Sequence, residues 1–310
     1  MTAESLTVGG TVRKRRGARE VRKAVEGGIQ VVFLLCGTLA VGFVLLISIY
    51  LILSGLPAIR QIGPTDFLFG RVWDPTNATT GAEFGILPFI LTSIYGTAGA
   101  VVLGVPVGLL TAVYLAKIAP PKVAVAIRTA VQLLAGIPSV VYGLVGMIVL
   151  VPAIQRTFSL SSGACLLAAM IVLAIMILPS IINVAENALR AVPKEYEEAS
   201  LALGSTKLET YFKVTLPAAG SGVAAAIVLG VGRAIGEAMA IIMVSGNVSN
   251  MPSVFAPVRF LTTGIVSGMG YAQVGSLYHQ ALFSIGLVLF LFIMLINVLL
   301  NVLIKKKGDA

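Results

Sequence analysis

Arg233 and Glu237 stand four residues apart within a long apolar run, residues 218–244. A charged side chain at the centre of a membrane span costs about 2.5–3.5 kcal/mol on insertion scales, so such residues face the protein interior and mark substrate paths. At this spacing two residues share one helix face and can pair. A guanidinium offers a planar fork that matches an oxyanion bidentately. A nearby carboxylate can neutralise it when the path is empty, or accept a hydrogen from a protonated oxyanion. The chemistry implied is passage of an anion; the alternative is a structural ion pair between helices. Gly230, Gly232 and Gly236 around the pair allow close helix approach.

A second chemical feature is Gly136-Ile-Pro-Ser-Val-Val-Tyr-Gly143, within another apolar run. Proline removes a helix hydrogen bond and kinks the helix. Broken helices at membrane depth are tolerated where they line a cavity. Ser139 and Tyr142 would offer hydroxyls there, unless the kink serves packing only.

These residues need membrane helices to position them. The chain has 310 residues, 57% of them hydrophobic and only 11% charged, against roughly 25% charged in soluble domains. Six runs are long enough to cross a bilayer: 29–53, 86–116, 124–152, 164–187, 218–244 and 281–304. The first is too long for a signal peptide and has no small-residue cleavage site after it. Of the 22 Lys and Arg, seventeen fall in residues 1–24, the second and fourth connections and the C-terminal tail. Only Arg60, Arg71, Arg156 and Arg259 fall on the other side. That asymmetry puts both termini and the 188–217 connection in the cytoplasm.

The same placement explains the net charge of +9 without nucleic acid, since no basic stripe is interleaved with exposed aromatics. Residues 1–28 read as a basic, irregular cytoplasmic tail ahead of a six-helix membrane domain, 29–310. The outside segment 54–85 carries Phe67, Phe69 and Trp73 and reads as an interfacial loop or short helix. Cys36 and Cys165 lie in apolar runs and read as buried thiols. With a single histidine, His279, and no Cys/His cluster, a metal site is not expected.

The 188–217 connection has its own grammar. Pro193 suits a first helical position, and Glu195, Glu197 and Glu198 follow at the positive end of the dipole. Tyr196, Ala199 and Leu203 fall on one apolar face. Gly204 suits a C-terminal cap, and Thr206 with Glu209 a capping box. Pro217 marks the start of the fifth span. A helix–Gly–helix unit this short needs a surface to dock on, either a partner protein or the bilayer.

At this point the residues resemble a known family. Permeases of binding-protein-dependent ABC importers carry a cytoplasmic EAA motif: Glu-Ala-Ala, three residues, Gly, nine residues, Ile-x-Leu-Pro. Here Glu198-Ala199-Ser200, Gly204 and Val214-Thr-Leu-Pro217 keep that spacing. The resemblance implies a type I ABC importer permease fold, an all-α polytopic protein of six transmembrane helices. It also implies that Glu198, Ala199, Gly204 and Pro217 belong to a coupling loop seated on a separate ATPase. The chain has no Gly-x-x-x-x-Gly-Lys-Ser/Thr motif of its own, so it is read as a transport subunit, not an enzyme, with ATP bound by the partner.

Phe84-Gly-Ile-Leu-Pro-Phe89, the 136–143 segment, the 191–217 loop and Gly232-Arg-Ala-Ile-Gly-Glu-Ala-Met-Ala240 further resemble the PstC-type permeases of phosphate importers. That resemblance implies a bacterial plasma-membrane subunit paired with a PstA-type permease, PstB-type ATPase subunits and an extracytoplasmic phosphate-binding protein. It places Arg233 and Glu237 in phosphate translocation. Other readings are an ABC permease for molybdate, sulfate or phosphonate, an ion-coupled secondary anion transporter, and a passive anion channel.

Overall fold

The computed structural model describes the backbone of residues 5–77 and 81–308, and the side chains of residues 26–77, 81–299 and 302. Residues 1–53 and 54–310 form two separate compact units. Helix α1, Ser5–Ile62, carries the boundary between them. Its backbone is already helical at Ser5, whereas the basic composition suggests an irregular tail. No proline interrupts the helix before Pro57. Cys36 is exposed on this helix, unlike the buried Cys165.

The 54–85 segment is more ordered than its composition suggests. Gly63, at φ 100, turns the chain into α2, Pro64–Phe69. Strands β1, Trp73–Asp74, and β2, Glu83–Phe84, then pair antiparallel with Trp73 opposite Phe84. Phe67 and Trp73 are core residues and Phe69 is exposed, so two of the three aromatics pack inward instead of lying at an interface. Trp73 sits edge-on to Phe84 at 5.7 Å and contacts Phe89 and Tyr278. The close approach of Gly70 to Gly85 leaves no room for a Cβ on either.

The membrane part is built around α7, Leu166–Ala191. Leu173, Ile177 and Ile181 on it are fully buried. Helix α3, Leu87–Val113, reaches it through glycine: a Cβ on Gly104 would stand 2.9 Å from Ile177, and one on Gly108 2.9 Å from Ile181. Helix α11, Gly220–Gly236, does the same from another side, with Gly230 against Ile181. Lipid gives helices no hydrophobic reason to associate, so backbone proximity and van der Waals contact hold them together. A π-helical turn, Tyr114–Ile118, extends α3.

Among the described residues, five helices are long and apolar enough to cross a membrane, and a bent pair ending in α11 makes up to six. Two spans depart from expectation. The run 124–152 is not one kinked helix: α4, Pro121–Gly136, ends before Pro138, and Ser139–Thr157 is the segment long enough to cross. That segment comprises α5, Ser139–Val145, a π-helical turn and α6, Val151–Thr157. The run 218–244 is likewise α11 followed, after a break, by α12, Met239–Val244. The short α13, Leu261–Met269, packs on α14, Leu277–Gly308, which holds the last span.

Candidate functional site

The two broken helices meet. Gly143 of α5 lies against the backbone of Ala240 in α12, where an added Cβ would be 2.8 Å away, and Gly146 faces Val244 in the same way. The breaks at Ile137-Pro138 and Glu237-Ala238 therefore belong to one region.

Helix α11 stops at Gly236, and Glu237 is extended, with φ −74 and ψ 134. Arg233 and Glu237 are thus on different elements, and the pairing that one continuous helix face would allow is absent: no ion pair joins them. The break supplies each charge with another partner. Arg233 lies in the last turn of α11, at the negative end of its dipole. Glu237 accepts a hydrogen bond from the Ala240 amide at 3.0 Å, in the first turn of α12, as a capping carboxylate does. The Thr262 hydroxyl donates to the Glu237 carbonyl at 2.7 Å and ties α13 to the same point.

Arg233 is exposed. Its one hydrogen bond among the described residues is a long one, 3.4 Å from Nη1 to Ser180 Oγ on α7. It lies within electrostatic reach of the Tyr142 phenol. Gly232 and Gly236 flank it, and a Cβ at either would meet nothing. Only Gly230 serves helix packing; the other two leave the face around Arg233 open.

Tyr142 is half-buried and donates to the Leu134 carbonyl at 2.6 Å. That bond bridges the third-span break by satisfying a carbonyl at the end of α4, so the hydroxyl hydrogen is already engaged. Ser139, the first residue of α5, is partly exposed and has no hydrogen bond among the described residues. No cluster of potential metal ligands occurs among the described residues.

The 192–217 connection forms α8, Lys194–Ala202, then α9, Lys207–Thr210, a π-helical turn and α10, Leu216–Ala218. Pro193 sits at the N-cap of α8, one residue ahead of the expected position. Gly204 has φ +89, a left-handed conformation that suits glycine. The Thr206–Glu209 capping box is present, with the Glu209 amide on Thr206 Oγ1 at 3.3 Å and the Thr206 amide on Glu209 Oε2 at 3.1 Å. Pro217 lies within α10, and the axis then bends by 74° before α11, so the fifth span starts at Gly220.

The faces of this segment are reversed relative to a self-contained domain. Inward lie polar groups: Ser200 and Thr210 bond at 3.0 Å, and Thr215 donates to Glu197. Glu197 also holds Lys117 at 2.5 Å, tying the segment to the end of the second span. Outward lie Leu203, 89% exposed, Tyr196, 55% exposed, and Leu208. Glu198, Ala199 and Gly204 are exposed with them.

Three networks escape sequence reasoning. Besides Lys117–Glu197, buried Glu186 receives Arg128 Nε at 2.7 Å and Arg190 Nε at 2.9 Å on one carboxylate oxygen. Both guanidinium groups also donate to the Leu115 carbonyl, which the π-helical turn frees. The signal for half of this was Glu186 with Arg190 four residues later. In the third, Arg259 clamps the left-handed Asn247 through its carbonyl and side-chain oxygen and lies over Phe89. Burial lowers the Arg259 pKa from its ordinary value.

Broken helices within a set of long apolar ones are the build of a polytopic membrane protein. The chain belongs to the family of binding-protein-dependent transport system inner membrane components, which it matches over residues 104–307. It is 38% identical over 289 residues to a probable ABC transporter permease protein, YqgH, of Bacillus subtilis, covering 91% of this chain and 93% of that one. It is 34% identical to the phosphate transport system permease protein PstC of Xylella fastidiosa, covering 94% and 96%. The Pasteurella multocida PstC is 35% identical, covering 78% and 81%.

The fold is shared with solved ABC importers. An inward-facing structure of the MetNI methionine ABC transporter has a TM-score of 0.57 at 21% identity, covering 72% of this chain and 95% of that one. A bacterial alginate ABC transporter in complex with its alginate-bound periplasmic protein has a TM-score of 0.61 at 17% identity, covering 88% and 94%. The fold is therefore that of a type I ABC importer permease, in a multi-pass inner-membrane protein.

Proposed function

We propose that this chain is the phosphate-conducting permease subunit of an ABC importer, paired with a second, PstA-type permease. PstB-type ATPase subunits would dock on the 193–217 segment, and an extracytoplasmic phosphate-binding protein would deliver the anion. Both termini and that segment are then cytoplasmic. Arg233 is the observation that carries the substrate reading: it is a cation at a helix break, on an open glycine-flanked face, with no carboxylate in ion-pair distance among the described residues. It would stabilise the anion across a region that otherwise excludes it. Ser139 and Tyr142 would stand along the same path, while Glu237 holds the break in shape and can accept a hydrogen from a protonated oxyanion. The relatives named for phosphate transport support the choice over molybdate, sulfate or phosphonate. Family membership sets aside the secondary transporter and the channel.

The coupling role rests on the reversed amphipathicity of α8–α9. An exposed Leu203 and Tyr196 over a polar inner face suit a groove on a partner better than water. ATP-driven closure of the ATPase dimer would then be transmitted by this segment and by Lys117–Glu197 as a rigid-body rocking of helices.

The test is ATP-dependent uptake of radiolabelled phosphate by the assembled importer, with sulfate and molybdate as competitors. Saturable uptake blocked only by excess phosphate is expected; transport of a competitor instead would overturn the substrate. Leu203→Asp is expected to abolish uptake and ATPase co-purification while the chain still inserts. Intact co-purification in that variant would remove α8 from the docking surface.

A further inference from the structure

A polar cavity of about 420 Å³ opens between α4 and α7. Arg128, Gln132, Asn183, Glu186, Asn187 and Arg190 line it. The ion-pair network accounts for only part of this lining. Each guanidinium uses Nε on Glu186 and Nη2 on Leu115, and Nη1 of each has no hydrogen-bond partner among the described residues. Gln132, Asn183 and Asn187 likewise make no side-chain hydrogen bond among the described residues. Two guanidinium groups against one carboxylate leave an excess positive charge. Helix packing alone gives no reason for three unengaged amides beside it.

The cavity also has an address. Ser180, the hydrogen-bond partner of Arg233, is followed on α7 by Asn183 and Asn187 at i+3 and i+7. This is one helix face, and at 1.5 Å per residue the two amides lie roughly 5 and 10 Å further along it. A polar stripe therefore leads from Arg233 toward the side that carries the 192–217 connection.

We propose that this cavity is a second anion site, one that takes a hydrogen-bearing oxyanion of the phosphate class. The two Nη1 groups and the amides of Gln132 and Asn183 donate to its oxygens, and Asn187 stands at the mouth. The second oxygen of Glu186, which neither guanidinium holds, accepts the anion's own hydrogen. A fully deprotonated oxyanion such as sulfate lacks that hydrogen and meets the carboxylate as a like charge. The phosphodiester of a lipid headgroup carries no such hydrogen either, so free phosphate is the ligand this arrangement selects. The site's place as the last step before release rests on the phosphate-importer reading; binding itself does not.

Asn187 is exposed at the mouth, which makes it a reporter. The assembled importer, carrying Asn187→Cys and Cys36→Ser, is reconstituted into nanodiscs of phosphatidylcholine alone or with phosphatidylglycerol. The rate of alkylation by a charged maleimide is then followed with added inorganic phosphate or sulfate. In phosphatidylcholine, phosphate is expected to slow labelling at least about tenfold and sulfate far less. The protection should survive Arg233→Gln and disappear in Gln132→Leu/Asn183→Leu, which leaves the ion pairs in place. Slow labelling only with phosphatidylglycerol, whatever the added anion, means that anionic lipid merely covers the mouth, and overturns the proposal. Equal labelling under all conditions overturns the proposal, as does protection that persists in Gln132→Leu/Asn183→Leu. The readout needs no transport, so absent phosphate uptake would overturn the importer reading without touching this one.

Discussion

Glu186 and Arg190, and Arg233 and Glu237, are both opposite charges four residues apart, yet only the first two pair. Helix α7 is continuous through its pair, and the side chains meet at 2.9 Å. Helix α11 ends at Gly236, between Arg233 and Glu237. Spacing decides pairing only when the helix is unbroken. Where it breaks, the exposed amides and carbonyls of two helix ends take over the role of counter-charge. The consequence is functional: Arg190 keeps a carboxylate partner on its own helix, whereas Arg233 faces its surroundings without one.

The largest effect expected from this contrast is on Arg233. Arg233→Gln should lower phosphate uptake about a hundredfold, the order expected for loss of a charge-assisted contact, with assembly intact. Normal uptake would reduce Arg233 to a helix-end counter-charge and erase the distinction between the two regions.

Glu186→Gln should behave oppositely, acting on stability before transport. It leaves two guanidinium groups side by side without their carboxylate. Breaking a sealed pair costs about 3–5 kcal/mol. Here the arginine side chains keep 32% and 46% exposure, so roughly 1–3 kcal/mol is expected. A lowered thermal midpoint of the purified complex would report it; an unchanged midpoint would mean the network holds nothing together.

Much of this was legible in the residues. Apolar runs located the spans because roughly 20 residues are needed to cross, and the Thr206–Glu209 box and Gly204 turn were readable because capping is local. What escaped was tertiary. Nothing in the sequence indicates that Trp73 pairs with Phe84 and turns inward, or that Arg128 crosses to Glu186. Pro138 announced a kink, but whether a proline bends a span or ends it depends on what satisfies the freed carbonyls. Here Tyr142 reaches Leu134 and lets the helix end. The glycines near Arg233 looked alike, and only their surroundings separate Gly230, which packs, from Gly232 and Gly236, which do not.

Glu237 sharpens the comparison from the other side. If it serves chiefly to cap α12, Glu237→Ala should cost about 1 kcal/mol of local stability, while Glu237→Gln, which keeps an acceptor for the Ala240 amide, should transport nearly normally. Hydrogen exchange at the start of α12 checks the first and uptake the second. If Glu237→Gln abolishes uptake while exchange is unchanged, the carboxylate acts on the anion itself.

Glu209 and Lys213 supply a third pair at the same spacing, joined at 3.3 Å but largely exposed. Glu209 is already held by the Thr206 capping box, and water screens the lysine, so an exposed pair of this kind adds little. Lys213→Ala should therefore leave both the thermal midpoint and uptake unchanged within error. A measurable loss of uptake alone would mean that Lys213 touches the docked ATPase, and that the outer face of this segment reaches past Leu203 into the π-helical turn. The three pairs then separate the factors in turn: helix continuity decides whether charges meet, and burial decides whether their meeting matters.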